Sequence, residues 1–167
     1  DFPTLVQVKL IEWFYKGEPN GPLKYRIPSR PEQIVRILSH NPILRPPIQE
    51  NINFVRKLAS EKNDKYYLIS SRLGFLKKRT DDFIKKYQFD NIFNAMYFNY
   101  SNRQAHEFKN EVIKKINLDM YVDDDLQLLE YLSDSNPKTK FFWLNDKENK
   151  SLKKNLIAIT NIPSMFK

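Results

Sequence analysis

The sequence predicts an α/β protein built on a parallel sheet. Three observations predict it. Short apolar runs recur at 65–71 (KYYLISS), 92–98 (IFNAMYF), 118–122 (LDMYV) and 140–144 (KFFWL), each about the length of a buried strand. Segments with apolar residues at helical spacing lie between them, and this alternation implies parallel strands joined by right-handed crossovers. Three of the runs finish on polar residues: Ser70-Ser71-Arg72, Asn99 and Asp123-Asp124-Asp125. In a parallel sheet those ends should share one rim, where ligands bind.

The elements follow in order. Residues 5–15 (LVQVKLIEWFY) are ambiguous: Val6, Val8 and Leu10 alternate like a strand, whereas Leu5, Val8, Ile11 and Tyr15 fit a helix. The length of the run and Gly17 after it favour the helix. Pro19, Gly21, Pro22 and Pro28 make 17–28 a loop. Ser29 can cap a helix that starts at Pro31 and runs through Ile34, Ile37 and Leu38. Pro42, Pro46 and Pro47 then break the chain, so 17–46 reads as a small helical insert. A firm helix over 46–62 carries Ile48, Ile52, Val55 and Leu58 on one side. The strand at 65–71 turns through Arg72, Leu73 and Gly74 into a helix over 75–87, with Leu76, Phe83 and Ile84 inward. After the strand that ends near Phe98, a helix from Phe108 places Val112, Ile113 and Ile116 on one face and stops at Asn117. The next strand runs into the three acids. A helix over 126–133, a strand over 140–144, a polar connection over 146–154, an edge strand over 156–159 and a turn over 163–166 complete the chain.

Composition bounds the function. At 167 residues the chain makes one domain, or one domain plus a small insert. Its 41% hydrophobic content is enough for a core and excludes wholesale disorder. No apolar run approaches membrane-spanning length. With no Cys there is no disulfide frame and no thiolate metal site, and His40 and His106 are too few for a His-rich one. No signal-like segment is present, and a cytoplasmic location is expected. The net charge of +8 favours phosphorylated substrates or nucleic acid as partners. Its Lys pairs (Lys85-Lys86, Lys114-Lys115, Lys153-Lys154) mostly lie on predicted helices and read as solvated faces before a nucleic-acid groove. Only three Gly occur, with no Gly-rich phosphate loop, which speaks against an ordinary nucleotide-cofactor fold.

The acids at 123–125 are the most informative stretch. Three carboxylates in a row repel one another unless a cation or basic group sits among them. Hard cations such as Mg²⁺ favour oxygen clusters of this kind. The alternative is a helix cap, which suits Asp125 best.

In chain order, the strand ends resemble the haloacid dehalogenase superfamily of phosphohydrolases. The residues that carry the likeness are LISSR with Ser70, FKNEVIKK with Lys109, and MYVDDD with Asp123 and Asp124, 14 and 15 residues after Lys109. The arrangement is most similar to the 5'-deoxyribonucleotidase-like branch, and KFFWLN looks like that branch's fifth strand. The likeness covers roughly residues 48–145. It implies a three-layer, Rossmann-like fold with a small cap insert at 17–46. It implies that Ser70 and Lys109 hold phosphoryl oxygens, that Ser71 and Arg72 bind substrate, and that Asp123 and Asp124 anchor Mg²⁺.

At the start, the chain departs from the family's Asp-x-Asp-x-Thr motif. Here the residues are Asp1-Phe2-Pro3-Thr4. The resemblance makes Asp1 the nucleophile and a metal ligand. Pro3 keeps a carbonyl for the metal but has no proton to give, and losing a general acid/base typically costs about 10²–10⁴ in rate. The central strand that would precede Asp1 is expected to lie upstream of it. The other possibilities are that residues 5–10 take that place or that the sheet tolerates a gap. The expected function is a Mg²⁺-dependent phosphohydrolase of a small phosphomonoester, such as a nucleotide, acting through an aspartyl-phosphate. The alternative is a catalytically degenerate relative that serves as a basic binding or structural subunit in a nucleic-acid-containing assembly.

Overall fold

A computed structural model describes residues 23–41, 43, 47–61, 64–145 and 154–166. The segment at 5–15, the start at Asp1 and Pro3, and most of the connection at 146–154 lie outside the described residues.

Helix α1 (Arg30–Ser39) starts with proline in its first turn, as Pro31 dictates. Ser29 sits at the N-cap in an extended conformation, but its hydroxyl makes no cap bond, contrary to expectation. The helix turns its charged face inward. Glu32 is buried between Arg26, at 2.8 Å, and Arg36, at 3.0 Å. Ile34 and Leu38 are exposed, as is Ile27 before the helix. Helix α2 (Gln49–Glu61) buries Ile52 and Leu58. Ile48, expected on the same face, precedes the helix and is exposed.

Strand β1 (Tyr67–Ser70) pairs in parallel with β2 (Ala95–Phe98), with Tyr67 opposite Ala95 and Ser70 opposite Phe98. Between them a short 3₁₀ turn (Gly74–Leu76) leads into α3 (Lys77–Tyr87). This helix ends at Gln88, whose φ of 53° is left-handed. A first core forms from Ile52, Ile84, Phe89 and Ile92, with Phe83 and Leu68 packed against it. Asn99 follows β2 and is fully buried. Its amide donates to the Arg103 carbonyl at 2.6 Å and its oxygen accepts from the Arg103 N–H at 3.0 Å. That polar strand end is therefore a fastener for the loop, not a ligand group.

Helix α4 (Ala105–Ile116) buries Ala105, Phe108, Lys109, Val112 and Ile113, one face at helical spacing. Asn117 ends it in the left-handed region, with φ 49°, as its residue type predicts. Strands β3 (Met120–Asp123), β4 (Lys140–Leu144) and β5 (Leu156–Ile159) form a second parallel sheet in the order β3-β4-β5. Helix α5 (Leu126–Ser135) covers it with Leu128, Leu129 and Leu132. Those leucines pack with Ile113, Tyr121, Phe141 and Leu156 in the largest core cluster. Each fully buried side chain of this size contributes about 1.5–3 kcal/mol.

The described elements match the predicted order, but the sheet does not. Among the described residues the strands form two parallel sheets, of two and three strands, instead of one. The sheets share a core, because Ile69 of β1 packs on the cluster of the second sheet and α4 contacts β1. Within each sheet, strands that follow one another in sequence are neighbours: β1 pairs with β2, β3 with β4, and β4 with β5.

Candidate functional site

The site is centred on the carboxyl end of β3. Lys109 occupies the buried face of α4, so its stem packs inward and its ammonium reaches Asp123 Oδ2 at 2.5 Å. The two side chains are only 8% and 11% exposed. Tyr121 lies two residues before Asp123, on the same face of the strand. Its hydroxyl donates to the same oxygen at 2.7 Å. Asp123 Oδ1 accepts the backbone N–H groups of Asp124, at 3.0 Å, and Asp125, at 3.3 Å. Four donors thus meet one carboxylate, which has about four lone-pair sites to offer.

The electrostatics follow from these contacts. Burial alone would raise the Asp123 carboxyl, but the Lys109 charge and the hydrogen bonds outweigh it and hold Asp123 below the usual range. Burial, and then the Asp123 charge, push the Tyr121 hydroxyl well above its ordinary value, so it stays a proton donor. Asp124 behaves oppositely to Asp123. Partial desolvation and the neighbouring Asp123 charge raise its carboxyl.

Asp125 is the helix cap expected of it. Its side chain accepts the Leu128 N–H at 3.1 Å at the start of α5. It also accepts the Tyr25 hydroxyl at 2.6 Å. The Trp143 indole donates to the Asp124 carbonyl at 3.2 Å and ties the acidic turn to β4.

Ser70, Ser71 and Arg72 lie at and just after the end of β1. Ser70 ends β1, half-buried, and its hydroxyl accepts the Arg72 N–H at 3.4 Å. Ser71 and Arg72 follow, also half-buried, with the Arg72 guanidinium 5.4 Å from the centre of the Phe83 ring. Among the described residues, no hydrogen bond or ion pair joins Ser70 to Lys109 or Asp123. The structure brings Lys109, Asp123 and Asp124 together, while Ser70 ends β1 of the other sheet and Ser71 and Arg72 follow it. Asp1 and Pro3 lie outside the described residues.

Asp123 and Asp124 are the residues that would hold Mg²⁺, and they fit it only in part. Among the described residues, no group of three or more His, Cys, Asp or Glu is placed to hold a metal. Asp123 is saturated by donors and would have to release one to become a ligand. Asp124, exposed beside Asp123, is the carboxylate that would face a cation. One or two carboxylates, retained waters and substrate phosphate oxygens are the usual Mg²⁺ arrangement.

Three residues at the site escaped the sequence reading. Tyr121 was legible, since strand alternation puts it on the Asp123 face. Tyr25 and Gln104 carried no signal, because their partners are 100 and 79 residues away in the chain.

No family model, curated protein or solved structure matches this chain.

Proposed function

We propose that this chain is a haloacid-dehalogenase-like phosphohydrolase that acts on a small phosphomonoester with Mg²⁺ as cofactor. The fold would then be the three-layer, Rossmann-like arrangement of that superfamily, with the region 17–46 as its cap. The observation that carries the reading is the Lys109–Asp123 pair, sealed against α4 at the end of β3 with Asp124 beside it.

In this reading Lys109 supplies positive charge to the transferring phosphoryl group, and Asp123 fixes where that ammonium points. Tyr121 holds Asp123 from the opposite side. Asp124 would hold the metal, and Ser70 with the Ser71 and Arg72 region would receive phosphoryl oxygens. Bound Mg²⁺ neutralises phosphate charge. Asp1 takes the nucleophile's part by resemblance. Its carboxylate oxygen bonds to phosphorus as the ester P–O bond breaks. The departing alkoxide takes a proton from water, because Pro3 has none to give. A second water then cleaves the aspartyl-phosphate to inorganic phosphate.

The test is hydrolysis of a generic phosphomonoester with and without Mg²⁺, in the wild type and in Asp124→Asn. Turnover that requires Mg²⁺ and disappears in the variant is expected. Turnover unchanged by the substitution removes the site assignment.

A second reading, a degenerate relative acting as a basic binding subunit, is favoured by Pro3 and by the net charge of +8. It predicts nucleic-acid binding that weakens steeply with salt, without hydrolysis. A cytoplasmic location suits either reading.

A further inference from the structure

The stretch that leads into helix α1 is tied to the rim of the β3 site at one residue, Tyr25. The Tyr25 N–H donates to Gln104 Oε1 at 2.9 Å, and Gln104 Nε2 donates back to the Tyr25 carbonyl at 3.2 Å. The side-chain amide of Gln104 thus pairs with the Tyr25 backbone as a neighbouring strand would. The Tyr25 hydroxyl then donates to Asp125 Oδ2 at 2.6 Å.

Both anchors belong to the site. Gln104 immediately precedes α4, the helix that carries Lys109. Asp125 caps α5 directly after the Asp123–Asp124 pair. The Tyr25 hydroxyl also feels the Asp123 charge, and its own pKa is raised, first by desolvation and then by Asp125, so the group remains a donor. The opposite end of α1 has a different anchor. Arg79 Nε, on α3, donates to the Ile37 carbonyl at 3.2 Å.

We propose that Tyr25 and Gln104 form a latch that fastens the stretch leading into α1 to the rim of the β3 site and controls entry of the phosphorylated guest. Tyr25 is a positioning residue in this scheme. The Arg79 contact serves as the hinge, and the three bonds at Tyr25 serve as the catch. Leu23, packed on the second sheet's core cluster, keeps the catch in register. The guest's identity rests on the phosphohydrolase reading; the latch itself does not.

The experiment is hydrogen exchange on the full chain, followed by mass spectrometry, for the wild type, Tyr25→Phe and Gln104→Ala. Loss of a hydrogen bond to a charged acceptor is expected to speed exchange of the 26–39 amides about tenfold in Tyr25→Phe. Gln104→Ala is expected to act in the same direction, and α4 and α5 are expected to keep wild-type exchange. If exchange over 26–39 is unchanged in both variants, the latch is overturned. Acceleration spread equally over α4 and α5 also overturns it, because that pattern reports general loosening. Steady-state hydrolysis of p-nitrophenyl phosphate tests gating. KM is expected to rise about fivefold in Tyr25→Phe with kcat within about twofold, the pattern of weakened guest retention. A fall in kcat at constant KM, as a smaller folded fraction produces, overturns the gating. A wild type with no turnover removes the phosphohydrolase reading, while the exchange result still decides the latch.

Discussion

Replacing Lys109 by Met tests the centre of the site most directly. The side chains are similar in length, so packing on α4 is largely kept while the charge is lost. Asp123 then remains an almost fully buried carboxylate without its cation. Breaking a buried pair on one side typically costs about 3–5 kcal/mol. Asp123 would still accept from Tyr121 and from two backbone N–H groups, which places the expected loss near the lower end, about 3 kcal/mol. The sign of the pH dependence separates this mechanism from a simple packing defect. In the wild type the folded-state pKa of Asp123 is depressed. Its stabilising contribution is therefore present above the unfolded value of about 3.9 and lost as pH falls through the folded value. In Lys109→Met, burial is no longer offset by the ammonium, and the folded pKa should rise above the unfolded one. The variant is then weakest near neutral pH and recovers as pH falls through that raised value. Urea denaturation at pH 7.5, 6 and 4.5 measures both effects. The double variant Lys109→Met/Asp123→Asn should recover at least half of the loss at pH 7.5, since no unpaired charge remains. A cost below about 1 kcal/mol that stays constant across this range would refute the reasoning.

Two further predictions concern the frame of the site. Gly74 is required by close approach, not by its backbone angles: a Cβ there would lie 2.7 Å from the Tyr100 carbonyl oxygen. Gly74→Ala should therefore cost about 1–3 kcal/mol in urea denaturation, and a neutral result would mean that the 74–76 turn yields freely. Asp125→Ala removes the cap of α5 and should cost about 1 kcal/mol, roughly 2–4 °C in Tm. Asp125→Asn keeps an acceptor for the Leu128 N–H and should retain most of that stability; equal losses in both variants would point away from capping.

Much of the local structure was legible in the sequence. The span 140–144 coincides with β4 and 156–159 with β5, because an apolar run of that length has few other ways to be buried. Asn117 ends α4 and Asp125 starts α5 for reasons carried by the residue types themselves. Lys109 was singled out only by the family resemblance, and in the fold it pairs with Asp123, 14 residues further on. The role of Asn99 was not legible. A polar residue at a strand end looks the same whether it faces a ligand or clasps a loop, and only its two bonds to Arg103 tell the cases apart. The inward face of α1 was likewise hidden, since Ile34, Ile37 and Leu38 suggest an apolar contact while Glu32 takes the buried position.

Among the described residues, the chain's pattern determined which segments are helices and which are strands. These are properties of neighbours within a few residues, where side-chain period and turn chemistry act without distant help. The tertiary structure alone decided that the strands divide into two sheets and that Asp123 spends its oxygens on four donors. It also decided that Tyr25 reaches Asp125. Those outcomes depend on groups that meet only when separate segments pack, and nothing in a local pattern records which distant donor will fill a given lone pair.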